Sequence, residues 1–154
     1  MGEPTAAQCG LVTLVLRRFV AMSEAFNLSD VFVHLGSGST ATPLPDFTWS
    51  PEYLAGYEQR FASDGSEGRL VCVTAQDKTW DSWERHPAGD EVVILLSGRV
   101  DLVQDLDGEE HVVELHPGHA VINPVGVWHT ARVHEPGVGL FITPGRGTEA
   151  KPVG

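Results

Sequence analysis

From residue 69 onward the chain alternates short apolar runs with turn residues. RLVCVTA, WDSWERH, EVVILL, RVDLVQDL, HVVEL, HAVIN, VWHTARV and VGLFITP follow one another at a spacing of roughly ten residues. Asp107-Gly108 is a hairpin signal between RVDLVQDL and HVVEL, while Pro117-Gly118, Pro124-Val125-Gly126 and Pro136-Gly137 separate the later runs. Eight short strands punctuated in this way predict an all-β antiparallel barrel or sandwich, with its body over residues 69–145.

The upstream pattern is different. TATPLPDFTWSP, residues 40–51, is too rich in proline and threonine for a central strand or a helix and predicts an extended arm. Ser50-Pro51-Glu52 then reads as a helix start, with a capping serine, a proline in the first turn and an acid at the positive end of the dipole. Tyr53, Tyr57 and Phe61 recur every four residues, one stripe of a short helix near 51–61 that Gly56 weakens and that packs on the body of the domain. The loop ASDGSEG, residues 62–68, separates this N-terminal arm, residues 22–68, from the barrel, and residues 146–154 read as a flexible tail. GLVTLVL at 10–16 falls far short of the roughly 20 residues a membrane-spanning helix needs. Glu3 precedes that run and Arg17 and Arg18 follow it, which is the wrong order for a secretory signal. Met22 opens a polar stretch, SEAFNLSD, so residues 1–21 are expected to be an optional leader.

Composition narrows the class of partner. At 154 residues, with 42% hydrophobic and 20% charged positions, the chain suits one well-buried soluble domain. Ten Lys and Arg against 21 Asp and Glu give a formal charge of −11, which repels phosphate and argues against nucleic acid or an anionic membrane as partner. Cys9 and Cys72 are far apart and form no CxxC or disulfide framework, and Cys72 sits in a strand as a small buried residue; a reducing, cytoplasmic setting is the expectation.

The chemistry concentrates in ERHPAGDE, residues 84–91, just before the apolar run VVILL. Alternation along WDSWERH puts Glu84 and His86 on one face and Trp83 and Arg85 on the other. The Pro-Ala-Gly-Asp turn is able to fold Glu91 back beside His86, and His129 follows a second turn downstream. Inside a small barrel these four groups would converge, and ionised carboxylates there must be wet, paired or metal-bound. Two imidazoles with one or two carboxylates suit iron, zinc, nickel or manganese; taken singly, each histidine is more often a hydrogen-bonded structural residue. His111, His116 and His134 read as surface or structural, Arg132 as a partner of a nearby acid, and Trp80, Trp83 and Trp128 as packing residues; His34 and His119 have no place in the pattern.

Two segments resemble the signature motifs of the cupin superfamily. His86 to Gly98 reads His-x4-Glu-x6-Gly, and Gly118 to His129 reads Gly-x5-Pro-x-Gly-x2-His, with 19 residues between them. The resemblance covers residues 70–143 and implies a double-stranded β-helix, the jelly-roll barrel, with a ligand site inside. It also implies His86, Glu91 and His129 as ligands of a divalent metal. Glu84 stands where such cupins more often have a histidine, Lys78 where a glycine opens the first motif and Val133 where an asparagine closes the second. Glu84 is thus either a fourth ligand or a group beside the metal, including a general base if burial raises its pKa.

The resulting expectation is a metal-binding single-domain cupin. An open divalent site would make it a small-molecule enzyme of the dioxygenase, isomerase, epimerase, decarboxylase or lyase kind; a structural or absent metal would make it a non-catalytic metabolite-binding or sensor module. The resemblance further implies a homodimer, with residues 22–50 as the segment to cross to a partner.

Overall fold

A computed structural model describes residues 25–154; the expected leader at 1–21 and Cys9 lie outside the described residues. Phe32–Gly36 (β1) and Thr40–Leu44 (β2) form a hairpin around a short 3-10 turn at Ser37–Ser39. Pro51–Arg60 (α1) starts where the sequence predicts, with the Ser50 hydroxyl accepting the Tyr53 N–H, Pro51 in the first turn and Glu52 near the N-terminus. Tyr57 is its buried residue and packs with Phe47, Tyr53 and Phe61 in an aromatic cluster against the sheet.

Seven further strands follow: Arg69–Gln76 (β3), Ser82–Arg85 (β4), Glu91–Leu106 (β5), Glu109–Leu115 (β6), Ala120–Asn123 (β7), Trp128–Pro144 (β8) and Glu149–Pro152 (β9). Every pairing is antiparallel, in the order β2-β1-β3-β8-β4-β9, with β5 joined to β6, β7 and β8. Leu44, Leu70, Leu95, Leu102, Leu115 and Phe141 form the inner core between the layers. The all-β jelly-roll expectation is met. Among the described residues no helix is long and apolar enough to cross a membrane.

Three boundaries differ from the sequence reading. EVVILL and RVDLVQDL are halves of one strand, β5, and VWHTARV and VGLFITP are halves of β8. Gly108, Gly118 and Gly126 lie in turns as the sequence predicts, but Pro136-Gly137 is a bend inside β8, facing Gly98 of β5. Gly98 holds φ at +87°, and a Cβ there would meet the Glu135 carbonyl oxygen at 2.6 Å; a Cβ on Gly137 would lie 1.9 Å from the Ser97 carbonyl oxygen. The two backbones cross so closely at this point that side chains are excluded, and the pairing register shifts on either side of it. One half of β8 therefore pairs with β3 and the N-terminal half of β5, and the other half pairs with β4 and the C-terminal half of β5. The second difference is the arm: β1 pairs with β3, so the β1–β2 hairpin extends the same sheet with β2 at its edge. The third is the expected flexible tail, where residues 149–152 form β9 and pair with β4 from Ser82 to Arg85. The short polar sequence EAKP carries no apolar alternation, and main-chain pairing with β4 orders it.

The crossing predicts opposite outcomes for two glycine substitutions. Gly137→Ala is expected to destabilise the fold by about 1–3 kcal/mol or more, because backbone must move to admit the methyl group. Gly56→Ala, on the exposed side of α1 with open space around it, is expected to stabilise by about 0.5–1 kcal/mol. Urea unfolding of both variants checks the pair; equal effects would contradict the crossing.

Candidate metal centre

β4 ends at the centre of the site. Glu84 lies directly opposite His129 in the β4–β8 pairing, and His86 follows one residue beyond the end of β4. The turn after His86 is closed by the Gly126 N–H, which donates to the His86 carbonyl at 3.1 Å, and by a longer bond from Gly89. That turn brings back Glu91, the first residue of β5, with its Oε1 3.4 Å from His86 Nε2 and its Oε2 3.2 Å from His129 Nε2. One donor atom each from Glu84, His86 and His129 lies within 4.8 Å of the others. All four residues named from the sequence are thus brought together.

The imidazoles are held from behind. His129 Nδ1 faces the Val127 carbonyl at 3.2 Å, and a carbonyl only accepts, so the proton sits on Nδ1 and the neutral ring presents a bare lone pair at Nε2. His86 Nδ1 is 3.0 Å from the Thr148 hydroxyl. Both Nε2 atoms are buried without a hydrogen-bond partner and point at carboxylate oxygens. At His129, whose Nδ1 is committed to a carbonyl, acceptor facing acceptor in a buried site requires a positive charge between them, either a second proton on the ring or a metal ion; His86, whose Nδ1 faces a hydroxyl, satisfies the same carboxylate with a metal ion or with its own proton placed on Nε2. With metal–ligand bonds of about 2.1 Å, adjacent ligand atoms stand about 3.0–3.4 Å apart, which is the spacing of Glu91 from each imidazole, while Glu84 and the two imidazoles lie within 4.8 Å of one another. The residues present fit a divalent ion.

The carboxylates are treated differently. Burial works to raise the pKa of Glu91, but the two imidazoles at its oxygens outweigh it and hold the group below the usual carboxylate range. The Thr143 hydroxyl also donates to Oε1 at 2.6 Å, and the Asn123 amide donates to Oε2 at 3.0 Å. Glu84 has no hydrogen bond of that kind; burial, reinforced by the charge of Glu91, raises its pKa against the opposing effect of the histidines. Burial also pushes the Cys72 thiol up to about 12, with the two glutamates adding to the shift, and keeps it inert.

Sequence reasoning missed Asn123, Thr143, Thr148 and Gln104, whose amide donates to the Asn123 side-chain oxygen at 2.8 Å. Strand parity puts Asn123 on the inner face with Val121, but its register opposite Glu91 is a tertiary fact. The other candidates fall elsewhere. His134 pairs with Asp101, Arg132 with Glu110 and His116 with Glu114, all on exposed surfaces. Arg85 and Lys151 lie over the Trp128 ring at 4.7 and 4.3 Å, fastening β4, β8 and β9 together. Trp80 instead lines the cavity, 6.1 Å from the Phe141 ring, with its indole N–H donated to Gln76.

That cavity has a volume of about 690 Å³ and opens between α1 and the barrel, with Glu84, His86 and Glu91 in its wall. Trp80, Phe141, Leu70 and Tyr57 supply apolar surface.

A cupin domain model matches residues 62–143, a little over half of the chain, and the chain belongs to that family. No curated protein matches it. Among solved structures, hydroquinone 1,2-dioxygenase from Sphingomonas sp. TTNP3 is similar at 17% identity and a TM-score of 0.43, over 49% of this chain and 59% of that one. A cupin-2 domain protein of Shewanella frigidimarina is similar at 21% identity and a TM-score of 0.43, over 49% of this chain and 70% of that one. Oxalate decarboxylase of Bacillus subtilis, described with Mn(II) centres, is similar at 16% identity and a TM-score of 0.47, over 62% of this chain and 26% of that one.

The raised pKa of Glu84 sets a pH dependence. A carboxyl group whose folded pKa lies above its unfolded value costs stability at neutral pH, and that cost disappears as pH falls through the folded pKa. Glu84→Gln is therefore expected to raise the melting temperature of the metal-stripped chain at neutral pH and to lose the advantage on acidification. Thermal unfolding followed by circular dichroism at both pH values checks this.

Proposed function

We propose that the chain is a metal-binding cupin that acts on a small neutral organic molecule at a divalent ion held by His86, His129, Glu91 and Glu84. The pair of buried, partnerless Nε2 atoms aimed at one carboxylate carries this reading, because that arrangement is costly without a cation. Iron, zinc, nickel and manganese all suit two imidazoles and two carboxylates. When bound, such an ion supplies Lewis acidity to an oxygen of the substrate.

The chain's own residues set what the site accepts. Asn123 and Thr143 fix the Glu91 carboxylate, and the Val127 carbonyl and Thr148 hydroxyl orient the rings. Two ionised glutamates offset the charge of a divalent ion, and Glu58, Asp77 and Asp81 in the cavity wall outnumber Lys78 and Arg146. The cavity thus offers an anion no net attraction. Glu84 has the weakest hold on its charge, which also suits it to take a proton from substrate when it is not bound to the ion.

Metal analysis of protein purified without chelators is expected to find about one divalent ion per chain, lost in His86→Ala and in His129→Ala. Asn123→Ala is expected to weaken metal affinity by about 10–100-fold while leaving the ligands in place. A metal-free wild-type chain whose stability is the same in both histidine variants would defeat the reading.

A further inference from the structure

A second connected set of titratable side chains, His34, Tyr57 and Asp64, reaches the same cavity through Tyr57. His34, on β1, is 2% exposed. Its Nδ1 lies 2.7 Å from the Tyr57 hydroxyl and its Nε2 lies 2.9 Å from Asp64 Oδ2, while Phe61 stacks on the ring at 3.7 Å between centroids. The Ser37 hydroxyl and N–H donate to the other Asp64 oxygen at 2.6 and 3.2 Å. Those hydrogen bonds, followed by the one from His34, hold the Asp64 carboxyl below its ordinary pKa, so it accepts only. The His34 proton therefore sits on Nε2, its Nδ1 is an acceptor, and the Tyr57 O–H donates to it. The lone pairs of the Tyr57 oxygen are left available to another donor.

Their position relates them to the metal centre. Tyr57 lines the cavity with Glu84 and His86. Its hydroxyl oxygen occupies the space 2.9 Å from where a Cβ of Gly145 would stand. Gly145 is two residues past Thr143, whose hydroxyl holds Glu91, and two residues of extended chain span about 7 Å. Tyr57, Thr143 and the metal-centre residues Glu84, His86 and Glu91 thus line one cavity, which a single small molecule can occupy.

We propose that Tyr57 accepts a hydrogen bond from a hydroxyl group of the ligand and, backed by His34 and Asp64, removes its proton. The ligand class is a neutral compound with an acidic hydroxyl, a phenol or an enol. As the ligand O–H bond breaks, its proton goes to the Tyr57 oxygen, and the Tyr57 proton goes to His34 Nδ1. The products are a ligand oxyanion, an unchanged tyrosine and an imidazolium paired with Asp64; two protons move and no electrons are transferred. Tyr57 is the group that touches the ligand, and His34 and Asp64 are positioning residues. The proposal rests on the reading that a small molecule binds in this cavity at the metal centre.

The probe is 4-nitrophenol, which turns yellow on ionisation, added to the Zn²⁺-loaded full chain at a pH below the probe's solution pKa. Wild type is expected to bind it as the phenolate, Tyr57→Phe to bind it as the neutral phenol, and Asp64→Asn, altered near the surface, to lower the bound phenolate-to-phenol ratio by about tenfold or more. Equal ionisation in all three proteins would overturn the proposal and leave the triad as a clamp between β1 and α1, as would a wild type that binds only the neutral phenol. Zinc content measured on the same samples separates this from the metal reading. A wild type without zinc that still ionises the probe through Tyr57 defeats the metal reading and sustains the relay.

Discussion

A carboxylate that stays ionised inside an apolar barrel is the constraint around which this structure is organised. Glu91 sits at the start of β5 with neighbours such as Val93 and Leu95 in the core. Each of its oxygens therefore has a neutral donor and faces an imidazole. The donors are Asn123 and Thr143, and the facing groups are the imidazoles of His86 and His129. β5 contributes Glu91, β7 Asn123, β8 both Thr143 and His129, and the chain just past β4 His86, so their mutual register is set by a single side chain as well as by the hydrophobic layers.

The close crossing at Gly98 and Gly137 makes that convergence geometrically possible. It lets β5 and β8 each run through both layers of the jelly roll, so Glu91 and Thr143 lie at one end of a strand pair whose other end carries Gln104 and His129. Two turns place His86 and His129 beside the same carboxylate. The neighbouring Glu84 receives no comparable support, and the two glutamates consequently differ in how firmly they hold a charge. Proximity of like charges, with donors given to one only, is a direct way to divide labour between two chemically identical groups.

Much of this was legible in the chain. Strand parity places Glu84 and His86 on one face, the short turn returns Glu91, and helix α1 begins at its serine cap, because these depend on contacts only a few residues apart. What escaped depends on distant pairings. Pro136-Gly137 looks like a turn until the strand it bends is seen to cross β5 at Gly98. Asn123 becomes a partner of Glu91 only through the β5–β7 register, and EAKP becomes a strand only because β4 has a free edge. His34 had no place in the periodic pattern, since its partners Tyr57 and Asp64 come 23 and 30 residues later.

The two imidazoles at Glu91 are anchored by chemically unlike groups. Val127 offers His129 a main-chain carbonyl, which accepts and never donates, so that ring is locked in one tautomer. Thr148 offers His86 a hydroxyl, which rotates to donate or accept. His86 can therefore exchange which nitrogen carries hydrogen while every heavy atom stays in place, with Thr148 turning its hydroxyl to match. One ring is a fixed post and the other is a swivel, which gives the barrel a rigid frame with a single adjustable hydrogen at its centre.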